Sequence, residues 1–277
     1  MRRSLVGGVA VAAAIAGAAA GGIAGPAAQE GTPERVDLAR DRLVDLSHAF
    51  NRRTIYWPTA RRFTLTKVAE GETEGGWFYA ANNFAAAEHG GTHLDAPIHF
   101  ARGGDTADDV PLRRLAGPAV NVDVRAQAAA NRDHLVSVAD LTAWEARNGR
   151  IGRRSIVLLR TGWERRWPDA ERYLGTARRG QAAVADLHFP GLSEEAARWL
   201  VQERAVKAVG IDTASIDRGQ STEFEAHRVL GAADVPVFEN VASLDDLPAD
   251  GFQVVALPMK IEGGSGGPLR ALAVVPR

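Results

Sequence analysis

Hydrophobic and polar residues alternate in two early stretches of the chain. Residues 62–68 and 77–84 follow this two-residue period, which predicts strands joined by a glycine-containing turn. The continuous apolar run 156–159 predicts a strand that is buried on both faces. Other short apolar stretches predict strands at 43–46, 119–124, 205–211, 235–238, 252–257 and 269–275.

Capping residues mark the helix boundaries. Ser137 is the predicted N-cap of a helix that ends before Gly149, and Asp140 completes a capping box with it. Ser193 is the predicted N-cap of the next helix. Residues 223–230 predict a shorter third helix.

The composition narrows the class of protein. The chain has 277 residues, of which 45% are hydrophobic and 24% charged, as in a soluble globular protein of one large or two small domains. The formal net charge of -1 gives no basic field for nucleic acid. The absence of cysteine excludes disulfides, thiolate zinc sites and cysteine nucleophiles.

The N-terminus has the pattern of an export signal. Arg2 and Arg3 precede a charge-free run, rich in alanine and glycine, that extends to Gln29. The opening residues resemble a twin-arginine signal, and an uncleaved membrane anchor is the alternative. We expect cleavage of a signal at 1–28 and export to the periplasm or the exterior, without stable membrane association.

The rest of the chain divides into two parts. Residues 29–41 carry mixed charges with glycine and proline and predict a solvated arm. Residues 42–277 contain all the predicted strands and helices. We therefore expect one functional domain after the arm.

One short stretch concentrates the candidate chemistry. Residues 89–99 read His-Gly-Gly-Thr-His-Leu-Asp-Ala-Pro-Ile-His, with three imidazoles and one carboxylate. Glycine and proline disfavour a helix here, so we expect a tight turn that brings His89, His93 and Asp95 to one ion. Nitrogen and oxygen ligands of this kind suit zinc, manganese or iron(II).

His99 follows the three candidate ligands, beyond a proline. An imidazole at this place suits a general acid or base, because it titrates near neutral pH. Two other roles remain open for His99: a third nitrogen ligand, or a partner that orients a ligand.

Other polar and aromatic residues carry weaker signals. Trp57 fits core packing and a lid over a flat substrate equally well, and Trp77, Phe84 and Trp163 are further candidates near a substrate. The aspartates at 212 and 217 are interpreted as braces of a turn.

The glycine-rich stretch 262–268 lacks the features of a phosphate-binding loop. Neither a Lys-Ser/Thr pair nor a predicted helix follows it. Its Ser265 has no identifiable base in the sequence and no Gly-x-Ser-x-Gly elbow around it. We therefore predict no nucleophilic serine.

The stretch 89–99 resembles the HxGTHxDxPxH signature of the metal-dependent cyclase family, which includes bacterial kynurenine formamidase and isatin hydrolase. The resemblance extends over about residues 42–277. Further landmarks occur in the family's order at 43–48, 158–163, 209–217, 227–230, 239–240 and 260–264.

The resemblance implies a role for each matching residue. His89, His93 and Asp95 match the family's metal ligands, and Asp95 bridges when two ions are present. His227 and Glu239 match the pair that completes the second metal position of the zinc formamidases. The implied cofactor is a divalent metal, zinc or manganese, as one or two ions.

Two more roles follow from the resemblance. His99 matches the histidine that donates and accepts the proton, and Trp57 matches an aromatic residue that packs on the substrate. The formamidases tend to continue with Trp-Pro-Gly-Asp, whereas this chain has Thr59 and Ala60 after Pro58, which argues against formylkynurenine as the substrate. The implied fold is a mixed α/β domain with a β-barrel-like core of the swivelling β/β/α type, assembled as a homo-oligomer, either a dimer or a tetramer.

The ion and the histidines predict a reaction. A divalent metal generates a hydroxide nucleophile at neutral pH and polarises a carbonyl. We predict hydrolysis of a carbon–nitrogen bond in a small amide or lactam, isatin-like or formamide-like, with His99 moving the proton. The alternatives are a cyclase, dehydratase or lactonase acting on a polyketide-like substrate, and a non-catalytic exported metal-binding protein.

Overall fold

The computed structural model describes residues 36–277. The predicted export signal and the first part of the predicted arm lie outside the described residues. In the described part, the strands are β1 (Arg42–Asp45), β2 (Thr64–Glu72), β3 (Phe78–Ala85), β4 (His93–Asp95), β5 (Ala116–Asp123), β6 (Leu135–Val136), β7 (Ile156–Arg160), β8 (Gly191–Leu192), β9 (Ala208–Ile211), β10 (Val237–Glu239), β11 (Phe252–Pro258) and β12 (Gly266–Val275).

Helices connect these strands. The α-helices are α1 (Leu112–Leu115), α2 (Arg125–Ala130), α3 (Val138–Asn148), α4 (Ala170–Leu174), α5 (Glu194–Gln202) and α6 (Glu225–Ala232). Short 3-10 helices lie at Pro97–His99, Trp163–Arg166, Gln181–Asp186 and Leu244–Asp246. None of the helices among residues 36–277 is long and apolar enough to cross a membrane.

Seven of the strands close into a barrel. Their order is β12-β11-β5-β7-β9-β10-β4, and β4 pairs back onto β12 to complete the ring. The pairs β5–β7, β7–β9 and β9–β10 are parallel. The other pairs of the ring are antiparallel. β1 adds to the outside of β12. The expected mixed α/β domain with a barrel-like core is confirmed.

Alternate residues of the barrel strands enter two separate cores. All seven strands contribute to one buried cluster, the barrel interior, where Ile156 and Leu158 of β7 pack with Phe238 of β10. Val157 and Leu159 point the other way and pack with residues of α3, α5 and α6. Because successive strand residues face opposite sides, the apolar run predicted to be buried on both faces is buried in this way.

Capping residues close in sequence fix where the helices begin. The Ser137 side chain accepts a hydrogen bond from the backbone N–H of Asp140, and the Asp140 carboxylate accepts one from the backbone N–H of Ser137. The predicted capping box is confirmed. Ser193 caps α5 through the N–H of Ala196. Strand β12 begins at Gly266, three residues before its predicted start, because the extra residues pair with β4.

The β2–β3 hairpin stands apart from both cores. Its two strands pair with each other and with no other strand among the described residues. Large apolar side chains on and beside it are more than half exposed, namely Leu65, Val68, Trp77, Phe78, Tyr79 and Phe84. In the sequence, the hairpin lies between Trp57 and His89.

Candidate metal centre

A glycine turn delivers the chain to the candidate centre. Gly90 has φ +153° and Gly91 has φ +59°, values that residues with a Cβ rarely adopt. A Cβ at Gly90 would also collide with the ring of Tyr56. The expected tight turn is therefore present, and His89 and His93 lie at its two ends.

Two pairs of strands bring the first ligands together. His93 on β4 lies directly opposite Glu239 on β10, and Asp95 lies opposite Gly266 on β12. Asp95 Oδ1 is 2.6 Å from His89 Nδ1 and 3.1 Å from His93 Nε2. Glu239 Oε2 is 3.5 Å from His93 Nε2. These four side chains form one face of the centre.

His227 forms the other face. Its Nε2 is 2.9 Å from Asp95 Oδ2 and 3.2 Å from Glu239 Oε1. Each carboxylate therefore directs one oxygen toward His93 and the other toward His227. The donor set fits one divalent ion or two.

The hydrogen bonds of the ring nitrogens support an ion at this place. His93 Nδ1 donates to the Gly91 carbonyl at 2.9 Å, and His227 Nδ1 donates to Asp217 Oδ2 at 2.6 Å. Each Nε2 is then the nitrogen that faces the carboxylates, as in metal-ligating histidines whose second nitrogen is held by an acceptor. His93 Nε2 is buried and makes no hydrogen bond of acceptable geometry. A divalent cation would satisfy this atom and the facing carboxylates.

The carboxylates of the cluster lack a permanently charged partner. Burial raises the pKa of Asp95, but His89 and His93 outweigh it and hold that pKa well below its usual range. Burial and the Asp95 charge raise the pKa of Glu239. Burial opposes the charged form of His227, yet the bond to Asp217 raises the pKa of that imidazole well above its ordinary value. The negative charges of the cluster are balanced by protons on the imidazoles, because no arginine or lysine faces the carboxylates within the described cluster.

His99 lies beside the cluster. The 3-10 helix Pro97–His99 turns its ring onto His89, with ring centroids 3.9 Å apart. Burial lowers the pKa of His99 to about 4. A ligand atom of His99 lies within 4.8 Å of those of His89 and Asp95, so the geometry is compatible with either a ligand or a proton carrier.

A cavity of about 280 Å³ opens onto the centre. Four aromatic residues line it: Tyr56, Trp57, Phe100 and Phe224. The other aromatic candidates are elsewhere: Trp163 is buried in a separate core, and Trp77 and Phe84 lie on the exposed hairpin. Of the four aromatic positions that the sequence put forward, only Trp57 faces this cavity.

Comparison with known proteins identifies the family. Residues 44–218 match the model of a family described as putative cyclase. The chain belongs to this cyclase family.

Named relatives of the cyclase-family chain are amide hydrolases. Isatin hydrolase of Roseibium aggregatum is 34% identical over 77% of this chain and 81% of its own length. Kynurenine formamidase of Salinibacter ruber is 29% identical over 83% of this chain and 96% of its own length. A solved isatin hydrolase bound to the product analogue thioisatinate matches with a TM-score of 0.77 and 30% identity, covering 86% of this chain and 94% of that one. The expectation of an enzyme that hydrolyses amide bonds is confirmed.

The structure adds supporting residues to this cyclase-family site. Asp212 accepts the N–H groups of Thr161 and Trp163, so it braces the loop after β7 and not, as predicted, its own turn. Asp217 accepts the first N–H groups of α6 but also bonds the His227 ring. Sequence reasoning treated both aspartates alike, because it could not show that the turn holding Asp217 faces a histidine ten residues later.

Proposed function

We propose that this chain is an exported, metal-dependent hydrolase that cleaves the carbon–nitrogen bond of a small lactam or amide on an aromatic ring. The observation that carries the proposal is the aromatic-lined cavity that ends at the buried His93 nitrogen and the two carboxylates. Similarity to isatin hydrolases favours a lactam of the isatin kind.

The proposed cofactor is zinc or manganese, as one or two ions. His89, His93 and Asp95 hold the first ion, and His227 with Glu239 completes a second position that shares Asp95. When bound, a divalent ion supplies Lewis acidity to the substrate carbonyl and makes water more acidic.

The protein side chains do the rest of the proposed chemistry. Trp57 and Phe224 on the cavity wall hold a flat ring with its carbonyl toward the cluster. His99 accepts the proton of the attacking water and delivers it to the leaving nitrogen. The apolar lining excludes bulk water, which strengthens the electrostatic interactions at the cluster.

A single set of assays tests the reaction. The mature protein is analysed for metal and assayed with isatin, N-formylkynurenine and a simple aryl lactone, before and after chelation and with each metal added back. We expect isatin turnover that chelation abolishes and one metal restores. Turnover of the lactone alone would point to a lactonase, and bound metal without any turnover would point to a metal-binding protein.

The role of His99 has its own test. His99→Ala should lower turnover by about 10²- to 10⁴-fold, the usual worth of a positioned acid–base group, with metal content unchanged. Loss of metal from this variant would make His99 a ligand instead. Phe100→Leu, which alters the neighbouring cavity wall without removing an imidazole, is the matched control.

We also propose that the chain forms a homo-oligomer, either a dimer or a tetramer, through the β2–β3 hairpin. A two-stranded hairpin alone is marginally stable in water, and its free edges invite pairing with another strand. Its six large apolar side chains are each more than half exposed. Phe78→Lys and Tyr79→Lys together should shift the protein toward monomer in analytical ultracentrifugation, and an unchanged mass would reject the hairpin as the interface.

Export is the remaining proposal. It rests on the charge-free run after Arg2 and Arg3 and on the small residues around positions 18–20 and 26–28. The test is the N-terminal sequence and location of the protein expressed in bacteria, with Arg2→Lys/Arg3→Lys to separate the twin-arginine route from the general route. A protein that stays in the cytoplasm with its first residues intact would reject export.

A further inference from the structure

The glycine-rich stretch 262–268, which the proposed reaction leaves without a role, wraps around one side of His89. The Ser265 carbonyl accepts the N–H of Ala96, and Gly266 pairs with Asp95 across the sheet. A Cβ at Gly266 would lie 2.6 Å from His89 Cε1, so only glycine lets the loop approach the ring this closely. The loop is therefore built against the histidine.

At the point of closest approach the loop places a hydroxyl on the outer ring nitrogen. Ser265 Oγ is 2.9 Å from His89 Nε2, on the side of the ring away from Asp95. The same hydroxyl is 2.6 Å from Glu88 Oε2, which also accepts the Ser265 backbone N–H at 3.1 Å. The carboxylate, the hydroxyl and the imidazole thus form a chain of three groups.

The direction of these bonds follows from what each group can donate. A carboxylate is only an acceptor, so the Ser265 hydroxyl donates its one proton to Glu88. The hydroxyl oxygen is then an acceptor toward the ring, and His89 Nε2 must donate to it. His89 Nδ1 likewise donates to Asp95 Oδ1 at 2.6 Å, because that oxygen also belongs to a carboxylate. An ion bound between them would replace the Nδ1 proton, while the Nε2 proton stays hydrogen-bonded to the Ser265 oxygen.

We propose that Ser265 and Glu88 are positioning residues that set the tautomer and orientation of His89 for metal binding. His93 and His227 offer Nε2 to the cluster and have Nδ1 held by Gly91 and Asp217. Of these three histidines, His89 is the one that turns Nδ1 toward the cluster. Ser265 and Glu88 hold its other nitrogen, Nε2. Without Glu88 the hydroxyl is free to donate to Nε2, which would place a proton on Nδ1 in the path of the ion.

This inference rests on the proposed metal site, and the test reads the tautomer and the metal separately. Imidazole ¹⁵N–¹H correlation spectra of the zinc-saturated protein, assigned with His89→Gln, should show a slowly exchanging His89 Nε2–H. Ser265→Ala and Glu88→Ala should broaden or abolish this signal, because the acceptor is removed or is free to rotate. Zinc affinity, measured by competition with a chelator, should fall by about 10- to 100-fold in both variants.

Two further variants separate positioning from folding. Ser265→Thr retains the hydroxyl and should restore both the tautomer and the zinc affinity. Ser193→Ala removes a helix cap remote from His89 and should lower stability without changing either readout. A zinc-saturated wild type without a protected His89 Nε2–H, or a Ser265→Ala variant with both readouts unchanged, would overturn the inference. Normal zinc binding without amide turnover would instead reject the proposed function and leave this inference standing.

Discussion

The protein has two clusters of charged side chains at the ends of barrel strands, and they solve the same electrostatic problem differently. In the arginine cluster, defined by Asp123, Arg125, Arg160, Arg165 and Asp245, each carboxylate meets guanidinium groups at 2.5–3.1 Å. In the candidate metal centre, imidazoles are the only side chains of the described residues that form ion pairs with Asp95 and Glu239. One cluster carries its permanent cations, and the other depends on protons or an added ion.

The contrast supports the smaller cavity as the proposed reaction site. The arginine cluster lines the larger cavity, about 800 Å³ against about 280 Å³. It also lies where parallel strands β5 and β7 end, a common place for active sites. Its two carboxylates nevertheless meet arginines, whereas the two carboxylates of the smaller cavity face no arginine or lysine among the described residues. The absence of a permanent cation beside these carboxylates is more informative here than cavity size.

The largest expected effect comes from the shared carboxylate of the metal centre. Asp95→Asn keeps the side-chain shape but removes the charge that faces both His93 and His227, so we expect metal loss. Turnover should fall on the order of 10³-fold or more, the equivalent of several kcal/mol of Lewis-acid stabilisation. Metal analysis and initial rates check this prediction. A variant that retains both its metal and its turnover would show that the Asp95 charge is not required for metal binding.

Metal should stabilise the folded chain through the same centre. A ligand that binds only the native state adds about 2.7 kcal/mol at 100 times its Kd. We therefore expect zinc or manganese to raise Tm in wild type and in Asp123→Asn, but not in Asp95→Asn. Equal shifts in all three proteins would mean that the metal binds elsewhere.

The arginine cluster should matter for stability and little for activity. Asp123→Asn weakens bonds from Arg125 and Arg160, and the site is about a third exposed, so the expected loss is about 1–2 kcal/mol. Urea unfolding measures this loss, and kcat/KM should stay within about two-fold of wild type. A much larger loss of kcat/KM would give the arginine cluster a role in the reaction.

The smallest effect is a pH dependence. Burial raises the pKa of Asp123, but bonds from Arg125 and Arg160 outweigh it and lower that pKa in the folded protein. The resulting stability is fully present above the unfolded pKa, about 4, and is lost as pH falls toward the folded value. The stability difference between wild type and Asp123→Asn should therefore shrink below about pH 4. A constant difference would assign the effect of the substitution to packing.

Local sequence was enough wherever the determining contacts are also local. Helix α3 begins and ends as predicted because Ser137 bonds Asp140 at its start and Gly149 donates its N–H to the Glu145 carbonyl at its end. The glycine turn before His93 follows from the same kind of information. The metal-site residues could be proposed because four of them lie within eleven positions and the rest match a family pattern.

Contacts between distant parts of the chain account for what the sequence did not show. The stretch 262–268 was set aside as a loop with no phosphate-binding pattern, but its end is the start of β12 and its serine bonds His89. Trp77 and Phe84 were candidates near the substrate, but the hairpin carries them away from the cavity. No periodicity or spacing in the sequence encodes these long-range pairings.

The three-residue strand β4 has a consequence for how the protein is made. It closes the barrel by pairing with β10 and β12, and it also carries His93 and Asp95. Asp95 and its β12 partner Gly266 are 266 − 95 = 171 positions apart, and pairings between distant segments form late. Until β12 has paired, the barrel is open and β4 is held by β10 alone. At the proposed site, binding of the ion would therefore follow closure of the barrel.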